Sequence, residues 1–238
     1  MAAKTNPIPS VWARQQAEPD QPALSRAAIV REAIVMLDAE GVEALSMRKL
    51  GTRLNTAATS LYRHVATKDE LMELAMDEIF GEMAVPDASG TGWRVAATEA
   101  SRSFRATALR HPWLASVVGQ AGLAYLGPNL MSFTERLAAL FTAAGFPEPS
   151  RAIDTLISYV IGMSTTEAAW LTTVARSGQT EAEFIARLMP AAQQAAADYG
   201  HITQIGPPVD LDPAEIREGK FEYGLEVVLD GLEARIPR

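Results

Sequence analysis

The sequence predicts an all-α protein in which a small helix-turn-helix domain precedes a larger helical domain. Three observations carry this. Apolar residues recur at three- and four-residue spacing along most of the 238-residue chain, and the period-two alternation of a half-buried strand is absent. A breaker-rich run, Val85-Pro86-Asp87-Ala88-Ser89-Gly90-Thr91-Gly92, divides the chain. Ahead of it one short stretch gathers five cations, Arg48, Lys49, Arg53, Arg63 and Lys68, with no acidic residue between Glu43 and Asp69. The whole chain carries a formal charge of −8, so such segregation needs a reason. A polyanion bound at this place supplies one, because cations that neutralise phosphates release condensed counterions while an acidic body discourages indiscriminate sticking.

Residues 1–24 contain Pro7, Pro9, Pro19 and Pro22 and little periodicity, which predicts a flexible N-terminal arm. Arg14 and Arg26 can reach a neighbouring groove or phosphate from there, the alternative being a solvated tail. Ser25 caps a first helix running to Glu40, with Ile29, Ala33, Met36 and Leu37 inward and Gly41 just beyond its end. Ser46 caps a second helix whose Met47, Leu50 and Leu54 recur at i, i+3, i+7. Ala57, Leu61 and Val65 recur at i, i+4, i+8 in a third, and Asn55-Thr56 breaks the pattern between them. With Leu61 and Val65 inward, the third helix presents Thr59, Ser60, Tyr62, Arg63 and His64, short hydrogen-bonding groups with one cation and two rings. A helix entering the major groove needs such a surface. Thr67 and Glu70 form a capping box that opens a fourth helix, about residues 68–83, apolar at Leu71, Leu74, Ala75, Ile79 and Met83. This helix leaves the small domain, placed at 25–84, and touches the larger one, which makes it the mechanical link.

The second domain, 92–238, reads as helices at about 93–110, 112–119, 127–144, 150–176, 181–199 and 214–235, for roughly nine or ten in the whole chain. The stretch 200–213, with Gly206-Pro207-Pro208, is the least regular interior segment. Ile153, Ile157, Val160, Ile161 and Ser164 form one stripe, with Gly162 allowing close approach, and Phe221, Leu225, Val228, Leu229 and Leu232 form another. Such stripes serve either an ordinary core or a surface shared with a second copy, and periodicity does not separate the two. Phe104, Trp113, Tyr125, Met131, Phe133, Tyr159, Met163 and Trp170 are large, adaptable side chains. They suit either plain core or the wall of a pocket for a flat organic molecule.

Composition removes other chemistries. With 48 % hydrophobic residues the chain can bury a substantial core. Zero cysteines leave no disulfide, thiolate nucleophile or cysteine metal site. No apolar run approaches the roughly 18 residues of a membrane span and no secretory h-region opens the chain, so a soluble cytoplasmic protein without membrane association is expected. The three histidines, His64, His111 and His201, have no metal-ligand spacing. Asp210, Asp212 and Glu215 crowd together, yet Asp212-Pro213 reads better as a helix start than as a calcium loop. Neither a phosphate-binding glycine loop nor a Gly-x-Ser-x-Gly elbow is present. Neither a metal, a cofactor nor a catalytic constellation is expected, and the chain does not read as an enzyme.

The run Ser60-Leu61-Tyr62-Arg63-His64-Val65-Ala66-Thr67-Lys68-Asp69-Glu70-Leu71 resembles the DNA-binding signature of the TetR family of transcriptional regulators, whose recognition helix carries a T-L-Y-x-H-V-x-x-K-x-x-L core. The likeness extends upstream over Asp38-Ala39-Glu40-Gly41. Downstream, Phe221-Glu222-Tyr223-Gly224-Leu225-Glu226 is similar to the last helix of the tetracycline-repressor branch. Two departures are local: Asn55-Thr56 stands where many members have Gly-Val, and Arg63 where the branch often has Trp. The resemblance implies DNA contacts from Arg48, Thr59, Ser60, Tyr62, Arg63, His64 and Lys68. It also implies pairing of helices 150–176 and 214–235 with their copies across a two-fold axis, and an effector pocket among Phe104, Trp113, Tyr125, Met131, Tyr159, Met163 and Trp170. Tetracycline repressors chelate a drug-bound magnesium through a histidine where this chain has Val118, so tetracycline itself is not the expected effector.

The function expected is a homodimeric repressor that binds a palindromic double-stranded DNA operator and is released by a small hydrophobic effector. The alternative is a ligand-sequestering or protein-interaction module that lacks operator recognition.

Overall fold

The computed structural model describes residues 24–87, 92–121, 127–204 and 212–237, and no strand occurs among them. Eleven α-helices are present in these segments: α1 Arg26–Glu40, α2 Met47–Arg53, α3 Ala58–Leu61, α4 Lys68–Phe80, α5 Trp93–Arg110, α6 Trp113–Ala121, α7 Pro128–Ala143, α8 Pro149–Arg176, α9 Glu181–Ala196, α10 Gly200–Gln204 and α11 Pro213–Glu233. A turn of 3-10 helix, Val42–Ala44, joins α1 to α2.

Capping chemistry sets the helix starts. The Ser25 hydroxyl accepts from the Ala28 amide at 3.2 Å and the Ser46 hydroxyl from the Lys49 amide at 3.3 Å. Gly41 ends α1 at φ 79°, and its own N–H returns to the Leu37 carbonyl at 2.9 Å. Asp212 accepts from the Ala214 amide at 2.7 Å and Pro213 occupies the first turn of α11, so this aspartate opens a helix. At α4 the box is displaced by one residue. Thr67 accepts from the Glu70 amide at 3.0 Å, but the Glu70 carboxylate takes the amide of Ala66, also at 3.0 Å, and not that of Thr67.

The turn between α2 and α3 explains the residues found there. The Thr56 amide reaches the Gly51 carbonyl at 2.8 Å and the Asn55 amide the Thr52 carbonyl at 3.2 Å, the pair of bonds that makes a Schellman C-cap. Asn55 holds the left-handed position at φ 50°, which asparagine tolerates better than other side chains. Asparagine therefore serves where glycine is usual. A Cβ on Gly51 would stand 2.8 Å from the Thr56 carbonyl oxygen and 3.2 Å from the Ala58 amide, so the two helices close to a distance only glycine permits.

Helix α3 is short. The stripe of Ala57, Leu61 and Val65 is a helical turn followed by turn residues 62–64, with Leu61 and Val65 fully buried and Ala57 exposed. Ten of the thirteen residues of α4 are buried, because this helix is packed between α1 on one side and α7 on the other.

In the larger domain α5 lies on α8, and α8 on α7 and α11. The hydroxyl of Tyr159 donates to the Phe221 carbonyl at 2.7 Å, and a Cβ on Gly224 would fall onto that tyrosine ring. Gly224, and not Gly162, is thus the position where α8 and α11 need a missing side chain; a Cβ on Gly162 meets nothing. The buried guanidinium of Arg105 grips Glu167 with two bonds, 2.7 and 2.9 Å, reaches Glu218 at 2.5 Å and lies 4.7 Å from the centre of the Phe221 ring. Arg217 joins Glu167 at 3.1 Å and also Glu181, so the N-termini of α9 and α11 are tied to α5 and α8. Val160, Ser164, Phe221, Leu225, Leu229 and Leu232 are buried within the single chain. This corrects the expectation that they face a second copy. Tyr223 and Val227 are the exposed apolar residues of α11, on the side away from that core.

Helix α9 ends at Ala196 and not at Tyr199, and no residue of it is buried. Residues 200–204 form the short α10, while 205–211, with Asp210 and Gly206-Pro207-Pro208, lie outside the described residues, as do the arm 1–23 and Tyr125. Among the described residues no helix is long and apolar enough to cross a membrane.

Candidate nucleic-acid interface and effector cavity

Helices α2 and α3 pack directly on each other, with Met47, Leu50 and Leu61 buried and Val65 buried just beyond the end of α3. Burying Leu61 and Val65 contributes about 1.5–3 kcal/mol each, and this fixes which residues point outward. Arg48, Thr59, Tyr62 and Arg63 are exposed; Ser60, His64 and Lys68 are partly buried. The five cations divide into two groups. Lys49 pairs with Glu40, and Arg53 with Glu32 and Glu40, so both are spent on the back of α1. Lys68 donates to the Val42 carbonyl at 3.1 Å and closes the 3-10 turn. Arg48 and Arg63 hold no ion pair to any described residue and stand free in solvent, which leaves them available to phosphates or base edges.

A cavity of about 260 Å³ lies in the larger domain between α4, α5, α6, α7 and α8. One wall is aromatic. The rings of Phe80, Phe104 and Phe133 meet mutually, with centroids 5.6, 6.3 and 6.4 Å apart. Met76, Val118, Leu130 and Leu137 continue the lining, and Ile153, Ile157 and Ile161 close it from α8. Thr134 and Asp154 are its two polar residues.

Of the side chains expected to line a pocket, Phe104 does so, and Phe133 stands beside it. Trp113 is buried elsewhere: its indole N–H donates to Asp38 of α1 at 2.8 Å. Trp170 donates to Glu181 at 2.5 Å and packs edge-on against Phe184 of α9. Tyr159 serves the α8–α11 contact, Met131 is exposed, and Met163 packs against the core without lining the cavity. The indole and phenol groups are occupied by specific acceptors, which is a packing duty that periodicity does not reveal. The isoleucine stripe, by contrast, was visible in the sequence and turns out to be cavity wall, and Asp154, between two of its members, was missed because one acid in such a stripe resembles a solvated face.

The cavity is coupled to the helix-turn-helix unit by α4, which supplies Met76 and Phe80 to the wall and begins seven residues after Leu61. Asp77 of the same helix accepts from the Asn129 and Leu130 amides at 2.9 and 3.0 Å, capping α7. Gly127 is glycine because a Cβ there would occupy that carboxylate. Burial pushes the Asp77 carboxyl above its usual range, and the two amides pull it back only in part. A second link joins α1 to the end of α5: His111 Nδ1 lies 2.7 Å from Asp38 and Nε2 3.3 Å from Glu82, which also accepts from Arg110 at 2.7 Å.

Comparison with known proteins matches two successive segments of the chain. Residues 29–75 match the bacterial regulatory proteins of the tetR family, and residues 85–236 match the tetracyclin repressor-like C-terminal domain. An HTH-type transcriptional regulator of Saccharopolyspora erythraea is 40 % identical over 164 residues, 68 % of this chain and 69 % of that one. The HTH-type transcriptional repressor DrrR1 of Streptomyces coeruleorubidus is 31 % identical over 94 % of this chain and 82 % of its own. The crystal structure of ActR from Streptomyces coelicolor in complex with actinorhodin superposes with a TM-score of 0.72 at 32 % identity, covering 90 % of this chain and 99 % of ActR. With both family domains matched in this order, and with the fold shared, the chain belongs to the TetR family of bacterial transcriptional regulators.

Proposed function

We propose that this regulator is a homodimeric repressor that holds a palindromic operator through two copies of α2–α3 and lets go when a small hydrophobic effector fills the cavity beside Phe104. The observation that carries the reading is that Arg48 on α2 and Arg63 just after α3 are exposed and hold no ion pair among the described residues, while the other face of the helix pair is buried. Arg48, with the Lys68 head group, meets phosphates, while Thr59, Ser60, Tyr62, Arg63 and His64 approach base edges. The similarity to a repressor, DrrR1, and to ActR, crystallised with actinorhodin, supports repression and ligand response. Binding DNA places its work in the cytoplasm, and no step in it is catalytic.

The dimer forms through the outward sides of α8 and α11, where Gly162, Tyr223 and Val227 are exposed. Two-fold symmetry then sets the two recognition helices about 34–36 Å apart in the DNA-bound state, one helical turn of the duplex. An effector acts through its different affinity for that geometry and for another one. Because Met76 and Phe80 belong to both the cavity wall and α4, a ligand that presses on them tilts the helix-turn-helix unit as a body.

Selection of bound sequences from a random duplex pool, followed by footprinting on the DNA upstream of the protein's own gene, tests this. The expected result is a palindrome whose half-sites are centred about 10–10.5 bp apart or a multiple of it. Enrichment of a single half-site, or of no sequence, contradicts the dimeric operator reading.

A further inference from the structure

We infer that the effector this cavity accepts is a lipophilic cation, a compact aromatic body carrying a protonated amine, with Asp154 as the group that selects its charge. The inference rests on the reading of the cavity as the effector site and adds the chemical class.

Donors and acceptors along the lining set the class of ligand. The cavity lining among the described residues holds two polar side chains and no lysine, arginine or histidine. Thr134 donates its hydroxyl hydrogen to the Leu130 carbonyl at 2.9 Å, which leaves only an acceptor oxygen facing the space. Asp154 makes no hydrogen bond or ion pair with any described residue, and an ionised carboxylate is purely an acceptor. Asp77, which sits behind the first turn of α7, has its oxygen committed to the Asn129 and Leu130 amides and contributes no cation. A ligand therefore finds hydrogen-bond acceptors and one negative charge, and must itself bring the donors. Among the described lining residues an anionic ligand meets a like charge and no side-chain donor to compensate it, which is discrimination by repulsion.

Position and shape agree with this. Asp154 lies on α8 at i, i+3, i+7 with Ile157 and Ile161, so its carboxylate sits on the cavity side of the helix while remaining exposed to solvent at the rim. A cationic end can stay partly hydrated there as the apolar body passes inward. The three rings of Phe80, Phe104 and Phe133, with Phe80 edge-on to the other two, present a wall suited to a flat aromatic face. A volume of about 260 Å³ admits a body of three fused rings, near the lower end of small-molecule sites.

Three probes with one fluorescent body isolate the charge: 9-(aminomethyl)anthracene, 9-anthracenemethanol and 9-anthracenecarboxylate, titrated by fluorescence into the full-length protein at low salt. The amine is expected to bind about tenfold more tightly than the carboxylate, with the alcohol between them, as suits one ion pair at a solvent-exposed rim. Asp154→Asn brings the three within about twofold of one another, Asp154→Glu keeps the order, and Ile157→Trp, which fills the cavity, abolishes binding of all three. Equal binding by wild type, preference for the carboxylate, or a preference unchanged in Asp154→Asn overturns the cation class and leaves the cavity reading standing. Binding that survives Ile157→Trp, or no binding of any probe, overturns the cavity reading and the charge class together.

Discussion

The indole N–H of Trp113 donates to Asp38 at 2.8 Å, and this bond fastens α6, whose Val118 lines the cavity, to the last turn of α1 in the helix-turn-helix unit. His111 reaches the same carboxylate oxygen at 2.7 Å, so Asp38 is held by two rings from the larger domain. The larger domain therefore touches the helix-turn-helix unit through α1 as well as through α4. Trp113→Phe drops the donor and, because the buried indole shrinks to a phenyl ring, leaves a small void as well. It should cost about 2–3 kcal/mol of stability in urea denaturation, the lost hydrogen bond and the void together. Because the clasp carries part of the coupling, operator release should also need several-fold more effector. A dose–response identical to wild type would show that the clasp is structural only.

The division among the five cations predicts different phenotypes for residues of equal charge. If Arg48 meets a phosphate as proposed, Arg48→Ala should weaken binding to every duplex and reduce the slope of log K against log salt by about one, with no loss of thermal stability, since its exposed head group is in no ion pair among the described residues. Lys68→Ala should lower stability as well, because it also frees the Val42 carbonyl. Arg63→Ala should change base preference at one position of the half-site, costing about 1–3 kcal/mol there. Salt titrations by fluorescence anisotropy, run beside thermal melts, separate the three.

Closeness at the α2–α3 turn predicts a sharp response to one methyl group. Gly51→Ala forces a Cβ to within 2.8 Å of the Thr56 carbonyl oxygen and should destabilise the protein by about 1–3 kcal/mol, the range of overpacking, with loss of operator binding. Asn55→Gly should be neutral or slightly stabilising, whereas Asn55→Val, a β-branched residue at φ 50°, should cost about 1–2 kcal/mol. Urea midpoints with unchanged m-values provide the check.

Much of this was legible because it is local. Ser25, Ser46 and Asp212 announce helix starts through bonds spanning two or three residues, and Asn55 announces a turn through its own backbone preference. The family signature at 60–71 was readable for the same reason: a recognition segment is one uninterrupted stretch. The direction of a large side chain on a long helix is another matter, since it depends on partners far away in sequence. Trp113 finds Asp38, Tyr159 finds Phe221 and Trp170 finds Glu181, and each becomes a packing device, while the isoleucines of α8 become cavity wall. The stripes that hold Val160 and Phe221 likewise gave no sign of whether one chain or two would cover them; a single chain buries both residues.

Asp77 makes stability depend on pH in a predictable direction. Burial raises its carboxyl above the unfolded value of 3.8, so the folded protein holds this proton more tightly than the unfolded chain. Its contribution is fully present below pH 3.8 and is lost as the pH rises through the folded value. Asp77→Asn retains an oxygen for the Asn129 and Leu130 amides but cannot ionise. Its urea midpoint should therefore gain on wild type as pH is raised from about 4 to 7. Parallel profiles would contradict the assignment.

The most direct test of the central claim, that a few free cations on α2–α3 let an acidic protein read duplex DNA, is equilibrium binding at physiological salt to the DNA upstream of its own gene and to an unrelated duplex of equal length. Binding at least about a thousandfold tighter to the first, with two protomers per duplex, is expected. Equal affinity for both duplexes would contradict it.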